Sequence, residues 1–264
     1  MRPLRFVTFL APNVQPLYEF IARHVAEQVD WPTELAVGES YDELAEPPDV
    51  SFVCSLAYVA LARCGLAPVE PIAAPLLQGG RYEGRPVYYS DVIVHRDSPV
   101  QSFTDLRGRS WAYNEPYSHS GYGVTRYHLV RLGETNGFFG KVVEAGWHER
   151  SVHLVSTGAV DGSAIDSHVL ALLLRDDPAL AERVRVIDTL GPSTIQPVVV
   201  ARHLPESLKG ELRDVLLGLG DDPAARPHLD RACIERFIAV SDATYDDVRS
   251  MLTACEEADF LTLR

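Results

Sequence analysis

Arg109-Ser110-Trp111-Ala112-Tyr113-Asn114-Glu115-Pro116-Tyr117-Ser118-His119-Ser120-Gly121-Tyr122-Gly123-Val124-Thr125-Arg126-Tyr127-His128-Leu129-Val130-Arg131-Leu132 decides how this chain is read. Arg109 to Tyr113 has the apolar, aromatic character of a strand, and Gly123 to Leu132 carries helical spacing. Strand, short turn and helix in that order are the repeating unit of an α/β fold. Ser118-His119-Ser120-Gly121-Tyr122 falls at the junction, placing two hydroxyls, an imidazole and a glycine at a helix N-terminus. Unpaired N–H groups and the peptide dipoles favour an anion there. An ordinary N-cap explains the same serines.

The pattern extends outward from this stretch. Phe6 to Leu10 reads as a strand, and Leu17, Phe20, Ile21 and Val25 recur at helical spacing behind it. Glu34 to Val37, Val50 to Cys54, Ile72 to Leu77 and Val87 to Val94 read as further strands. Ala57 to Cys64 is a helix stopped by Gly65. On the C-terminal side, Val152 to Val155 and Ala159-Val160 flank a small helix. Ser163 to Ile165 is a short strand ending at Asp166, and Pro197 to Ala201 is another. Helices run from Leu204-Pro205 to Leu217 and from Tyr245 to Leu252. No glycine–serine linker, repeat or low-complexity segment separates independent domains. The economical reading is a two-lobed α/β body in which the chain crosses twice, at Tyr88 to Val92 and at Thr189 to Pro197. Lobe 1 is then 1–90 plus 191–264, and lobe 2 is 91–190. Ligands of such folds sit outside the carboxyl ends of strands, here in a cleft between lobes.

The composition limits the partners. The chain has 264 residues, 37 acidic against 24 basic, and a formal charge of −13. That argues against nucleic acid or an anionic membrane surface, which need a basic footprint. A small anion remains compatible, because distant carboxylates are screened over about 8 Å at physiological salt. No stretch approaches the ~20 apolar residues of a membrane span, so no membrane insertion is expected. With Met1 as the native start the expected location is cytoplasmic. A trimmed mature chain would instead be periplasmic or extracellular. Cys54, Cys64, Cys233 and Cys255 lack metal-site spacing and read as buried thiols.

Four segments resemble the phosphonate-binding proteins of ABC importers. Tyr88-Tyr89-Ser90-Asp91-Val92-Ile93-Val94-His95-Arg96-Asp97-Ser98-Pro99 looks like their crossing strand and following turn, and Ser118 to Tyr122 is similar to their Ser-Thr-Ser-Gly cradle. Ala145-Gly146-Trp147-His148-Glu149-Arg150-Ser151 resembles their histidine segment, and Val160 to Asp166 their Val-Asp strand. Order and spacing agree from about Asp49 to Ala201. The resemblance implies a type II periplasmic-binding fold closing on a phosphorus oxyanion, with an ABC permease as partner and neither cofactor nor metal. Ser118, His119, Ser120 and the N–H groups of Gly121 and Tyr122 would take the oxygens. His148 would add a donor, Tyr88 a hydroxyl, and Ser55 would lie in the opposite lobe.

The chain departs from that family at several positions. His119 replaces the cradle threonine and reads as a charged anchor or a pH-sensitive donor. Val53 occupies the position of a ligand-facing tyrosine, and Gln196 that of an ammonium-neutralising carboxylate. Asp166 is either a cleft-facing carboxylate or the cap of the next helix. The implied ligand is phosphate, phosphite, or a neutral-tailed phosphonate or phosphate ester. Two other classes stay open. One is a cytoplasmic enzyme on this fold, such as a chorismate dehydratase-like lyase of the menaquinone pathway, with His119, His148 and Asp166 as acid–base candidates. The other is a ligand-sensing module.

Overall fold

The structure is a computed structural model and describes residues 2–263; Met1, on which the expected location turns, lies outside the described residues. In chain order the elements are β1 Leu4–Thr8, α1 Gln15–Val29, β2 Thr33–Val37, β3 Val50–Phe52, α2 Ser55–Arg63, β4 Val69–Leu77 and β5 Val87–His95. There follow β6 Ser110–Tyr113, α3 Val124–Leu132, β7 Lys141–Glu144, α4 His148–Ser156, β8 Gly162–Asp166, α5 Ser167–Asp176 and α6 Pro178–Ala181. The last are β9 Val184–Thr194, β10 Val198–Ala201, α7 Glu206–Gly218, α8 Arg226–Arg231, β11 Ile234–Ala239 and α9 Asp246–Glu257. The helix expected between Val152–Val155 and Ala159-Val160 is α4, which contains the first of those segments.

Among the described residues the chain divides into two compact units, Met1–Val87 with Thr194–Asp246, and Tyr88–Ser193 with Asp247–Arg264. It therefore passes between them three times, where the sequence reading expects two crossings. The third crossing corrects the assignment of 191–264 to the first lobe: residues 247–264 belong to the second unit. The reason is burial. Phe260 is fully buried with Trp111, Phe103 and Leu129, and Leu263, Met251 and Ala258 join the same core.

The first unit is built on a six-stranded sheet, β11-β4-β10-β3-β1-β2. β1 pairs in parallel with β2 and β3, while β10 and β11 run antiparallel to their neighbours. The second unit has a five-stranded sheet, β7-β6-β8-β5-β9. Its strands are covered on both faces, which is why they read as apolar runs. Trp111, Val92 and Ala164 face one core, and their neighbours Ala112, Ile93 and Ile165 face the other, the two-residue alternation of a pleated strand. β6 pairs in parallel with both β7 and β8. Three parallel strands therefore deliver their carboxyl ends to one edge of this sheet. No helix among the described residues is long and apolar enough to cross a membrane. Among the described residues the cysteines form no disulfide; Cys54 and Cys255 are buried, Cys233 is half-buried, and Cys64 is exposed because it follows the last turn of α2.

Candidate functional site

Each of those three strand ends carries part of the expected cradle. β6 leads through Asn114 to Tyr117 into a single π-helical turn, His119–Gly123, which continues as α3. Its wide pitch brings the Gly123 N–H onto the Ser118 carbonyl at 2.9 Å and the Val124 N–H onto that of His119. The expected helix thus begins with one underwound turn, a feature that recurs at functional sites. β7 ends at Glu144, and the next two amides tie back to β6: Ala145 N–H to Tyr113 O at 2.7 Å, and Gly146 N–H to Asn114 O at 2.8 Å. That pairing sets His148, the first residue of α4, beside the π turn. β8 ends at Asp166, whose Oδ1 accepts from the His168 and Val169 amides at 2.8 and 3.3 Å. Asp166 therefore performs the capping role at α5.

Ser118, Ser120 and His148 form one hydrogen-bonded row. Ser120 Oγ lies 2.9 Å from His148 Nε2 and 3.4 Å from Ser118 Oγ, and all three side chains are buried. Ser118 Oγ also accepts the Gly121 N–H at 3.2 Å. That amide, expected to face an anion, is engaged by the cap, and the arrangement leaves the Ser118 O–H as a donor. The buried Nδ1 of His148 has no hydrogen-bond partner among the described residues. Burial pushes His148 down to about 4, against the opposing pull of the Asp166 carboxylate, so the ring is neutral at pH 7. A neutral imidazole has one donor and one acceptor nitrogen. With Nε2 donating to Ser120 Oγ, the Ser120 hydroxyl is free to donate in turn.

His119 does not act as a charged anchor but bonds away from the serine row, to Ser193. Its Nε2 sits 2.9 Å from Ser193 Oγ, the side chain is 1% exposed, and burial lowers it to about 4. It is neutral at pH 7 and not a charged anchor, because a desolvated imidazolium is penalised more than the nearby Asp247 can offset. Tyr122 completes the turn; its hydroxyl donates to Leu261 O at 3.4 Å, and Arg126 stacks 4.7 Å from its ring centroid. Tyr88 is buried with its ring centroid 6.4 Å from that of His119. Ser55 and Gln196 belong to the first unit. Ser55 opens α2, buried, with no partner for its hydroxyl among the described residues; Gln196 is half-buried between β9 and β10.

Sequence reasoning passes over Asn114 and Ser193. Asn114 reads as a turn residue and Ser193 as part of a crossing, and neither has a local motif. Their signal is spatial. Asn114 Oδ1 is buried against the π turn without a partner, and Ser193 holds His119. Among the described residues no group of three or more His, Cys, Asp or Glu is placed to hold a metal.

Residues 8–245 match the family model for the periplasmic substrate-binding protein of phosphonate ABC transporters. The chain belongs to that family. A phosphonates-binding periplasmic protein of Escherichia coli K12 is 26% identical over 174 residues, 64% of this chain and 51% of that protein. The chain thus spans about half the length of the curated relative it matches. Two solved structures share the fold at a TM-score of 0.84. One is the binding component of a Pseudomonas aeruginosa ABC phosphonate transporter, 19% identical over 98% of this chain and 88% of that one. The other is a Prochlorococcus marinus protein in complex with methylphosphonate, 17% identical over 97% and 98%. The family's fold is the periplasmic-binding-protein fold, and the two α/β units described above are its halves in this chain.

Proposed function

We propose that this chain binds a phosphorus oxyanion, a phosphonate in the first instance, as the solute-binding component of an ABC importer, and performs no chemistry on it. The observation that carries the reading is the Ser118–Ser120–His148 row at the carboxyl ends of parallel strands. Two hydroxyls with orientable protons, backed by a neutral imidazole, supply donors to a tetrahedral anion without a fixed cation. Hydrogen bonds to a charged group contribute about 1.5–3 kcal/mol each. Membership of a binding-protein family supports the absence of turnover. So does the titration of both imidazoles, held near 4, since a general acid or base works best with a pKa near the operating pH.

Calorimetry with phosphate, phosphite, methylphosphonate and aminoethylphosphonate tests the reading. We expect saturable binding of at least one, weakened 10-fold or more in Ser120→Ala. Silence from all four overturns it.

A further inference from the structure

The second unit's chain begins at Tyr88, breaks off at Ser193 and resumes at Asp247. Two of these boundary residues, Ser193 and Tyr88, lie against His119. Ser193 Oγ is 2.9 Å from His119 Nε2, the Tyr88 ring centroid is 6.4 Å away, and the Asp247 carboxylate acts on the imidazole through its charge. Ser193 Oγ also donates to Met251 Sδ on α9 at 3.9 Å. A hydroxyl donating to Met251 accepts from its other neighbour, so the row runs from the His119 Nε2–H to Ser193 and on to Met251. His119 stands within the π turn, between the two serines of the row. A threonine in its place would end its hydroxyl two bonds nearer the backbone and would not reach Ser193.

We propose that His119 is a positioning residue that fastens the oxyanion turn to the boundary residues Ser193 and Tyr88, where the chain leaves and enters the second unit, so that occupation of the turn is felt by the backbone at 88 and 193. The inference rests on the reading of that turn as the anion site. It adds to that reading a role for a side chain of the turn that lies outside the serine–histidine row.

Amide hydrogen exchange on the full chain tests it, in wild type, His119→Thr, His119→Gln and Ser193→Ala, with and without saturating methylphosphonate. In wild type we expect methylphosphonate to slow exchange several-fold at residues 190–196, with α5 as an unaffected reference. His119→Thr and Ser193→Ala lose that protection, and His119→Gln, which keeps a donor of similar reach, retains much of it. Protection that persists in both His119→Thr and Ser193→Ala overturns the proposal even if binding is intact. Absence of methylphosphonate binding to wild type counts against the reading of the site, and the free proteins then decide. Faster exchange at 190–196 in both variants than in wild type supports the tether, and unchanged exchange overturns it.

Discussion

Asn114 Oδ1 stands 2.1 Å from the point where a Cβ on residue 121 would lie. Gly121 is therefore required for the end of β6 to close onto the π turn, and the backbone conformation is not what demands it. Asn114 is 8% exposed, and its oxygen has no other partner among the described residues. Gly121→Ala should cost about 1–3 kcal/mol, the usual penalty for overpacking a filled interior. It should also weaken anion binding by displacing Ser120. Gly121→Ala combined with Asn114→Ala removes the colliding oxygen and should recover most of the stability. Chemical denaturation of the two variants checks this; equal losses in both would show that the collision is not the cause.

The paired imidazoles make an acid-stability prediction. His119 and His148 are held at about 4 in the folded chain, chiefly by burial, against about 6.5 when unfolded. Between those values the unfolded chain binds protons that the folded chain does not. The stabilising contribution is complete above 6.5 and is lost as pH falls through 4, on the order of 3 kcal/mol for each ring. The urea midpoint should fall steeply from pH 6.5 to 4. His148→Asn should flatten that slope by about one proton. An unchanged slope would mean that the His148 proton is not linked to folding.

The parts of this architecture legible in the sequence are those set by local pattern. The strand–turn–helix order around Ser118, the apolar strands of both sheets and the alternative capping role of Asp166 all follow from short-range rules. The strands that local pattern does not show, β7 and β11, lie at sheet edges, where the apolar run is short or interrupted by charge, as in Ile234-Glu235-Arg236-Phe237. The π turn is not legible, because it differs from an α-helical start only in which carbonyl each amide reaches. The unit to which α9 belongs is not legible, because an amphipathic helix does not state what it packs on. Asn114 and Ser193 gain meaning only from residues brought close by folding.

Glu115 titrates in the opposite sense to the histidines. Burial, reinforced by Glu144, raises its carboxyl from 4.5 to about 7. The folded chain then holds a proton that the unfolded chain releases, so this contribution is complete below 4.5 and lost as pH rises through 7. Above that pH the fold carries a partly desolvated carboxylate beside a second one. Glu115→Gln should match wild type at pH 4 and exceed it at pH 8 by about 1–2 kcal/mol, after allowance for solvent screening of a half-buried group. Equal stability at pH 8 would mean that Glu115 ionises without penalty.

Arg126 joins the C-terminal segment to the site helix. It is 5% exposed; its Nη1 donates to Leu261 O at 2.8 Å and Phe260 O at 3.4 Å, and its guanidinium stacks on Tyr122. Residues 258–263 lie beyond the last turn of α9; the amides of Ala258, Asp259 and Phe260 bond back to α9, and the Arg126 bonds with the burial of Phe260 and Leu263 add to that hold. Arg126→Met keeps much of the apolar stem but leaves two carbonyls without their charged donor, at about 1.5–3 kcal/mol per lost bond. Tyr122→Phe loses only the 3.4 Å bond to Leu261 and keeps its ring under the guanidinium, so it should cost less than 1 kcal/mol by the same scale. Limited proteolysis followed by intact-mass measurement should therefore show early cleavage after α9 in Arg126→Met, with Tyr122→Phe resembling wild type. Equal protection in all three would mean that apolar burial alone fixes the C-terminal segment.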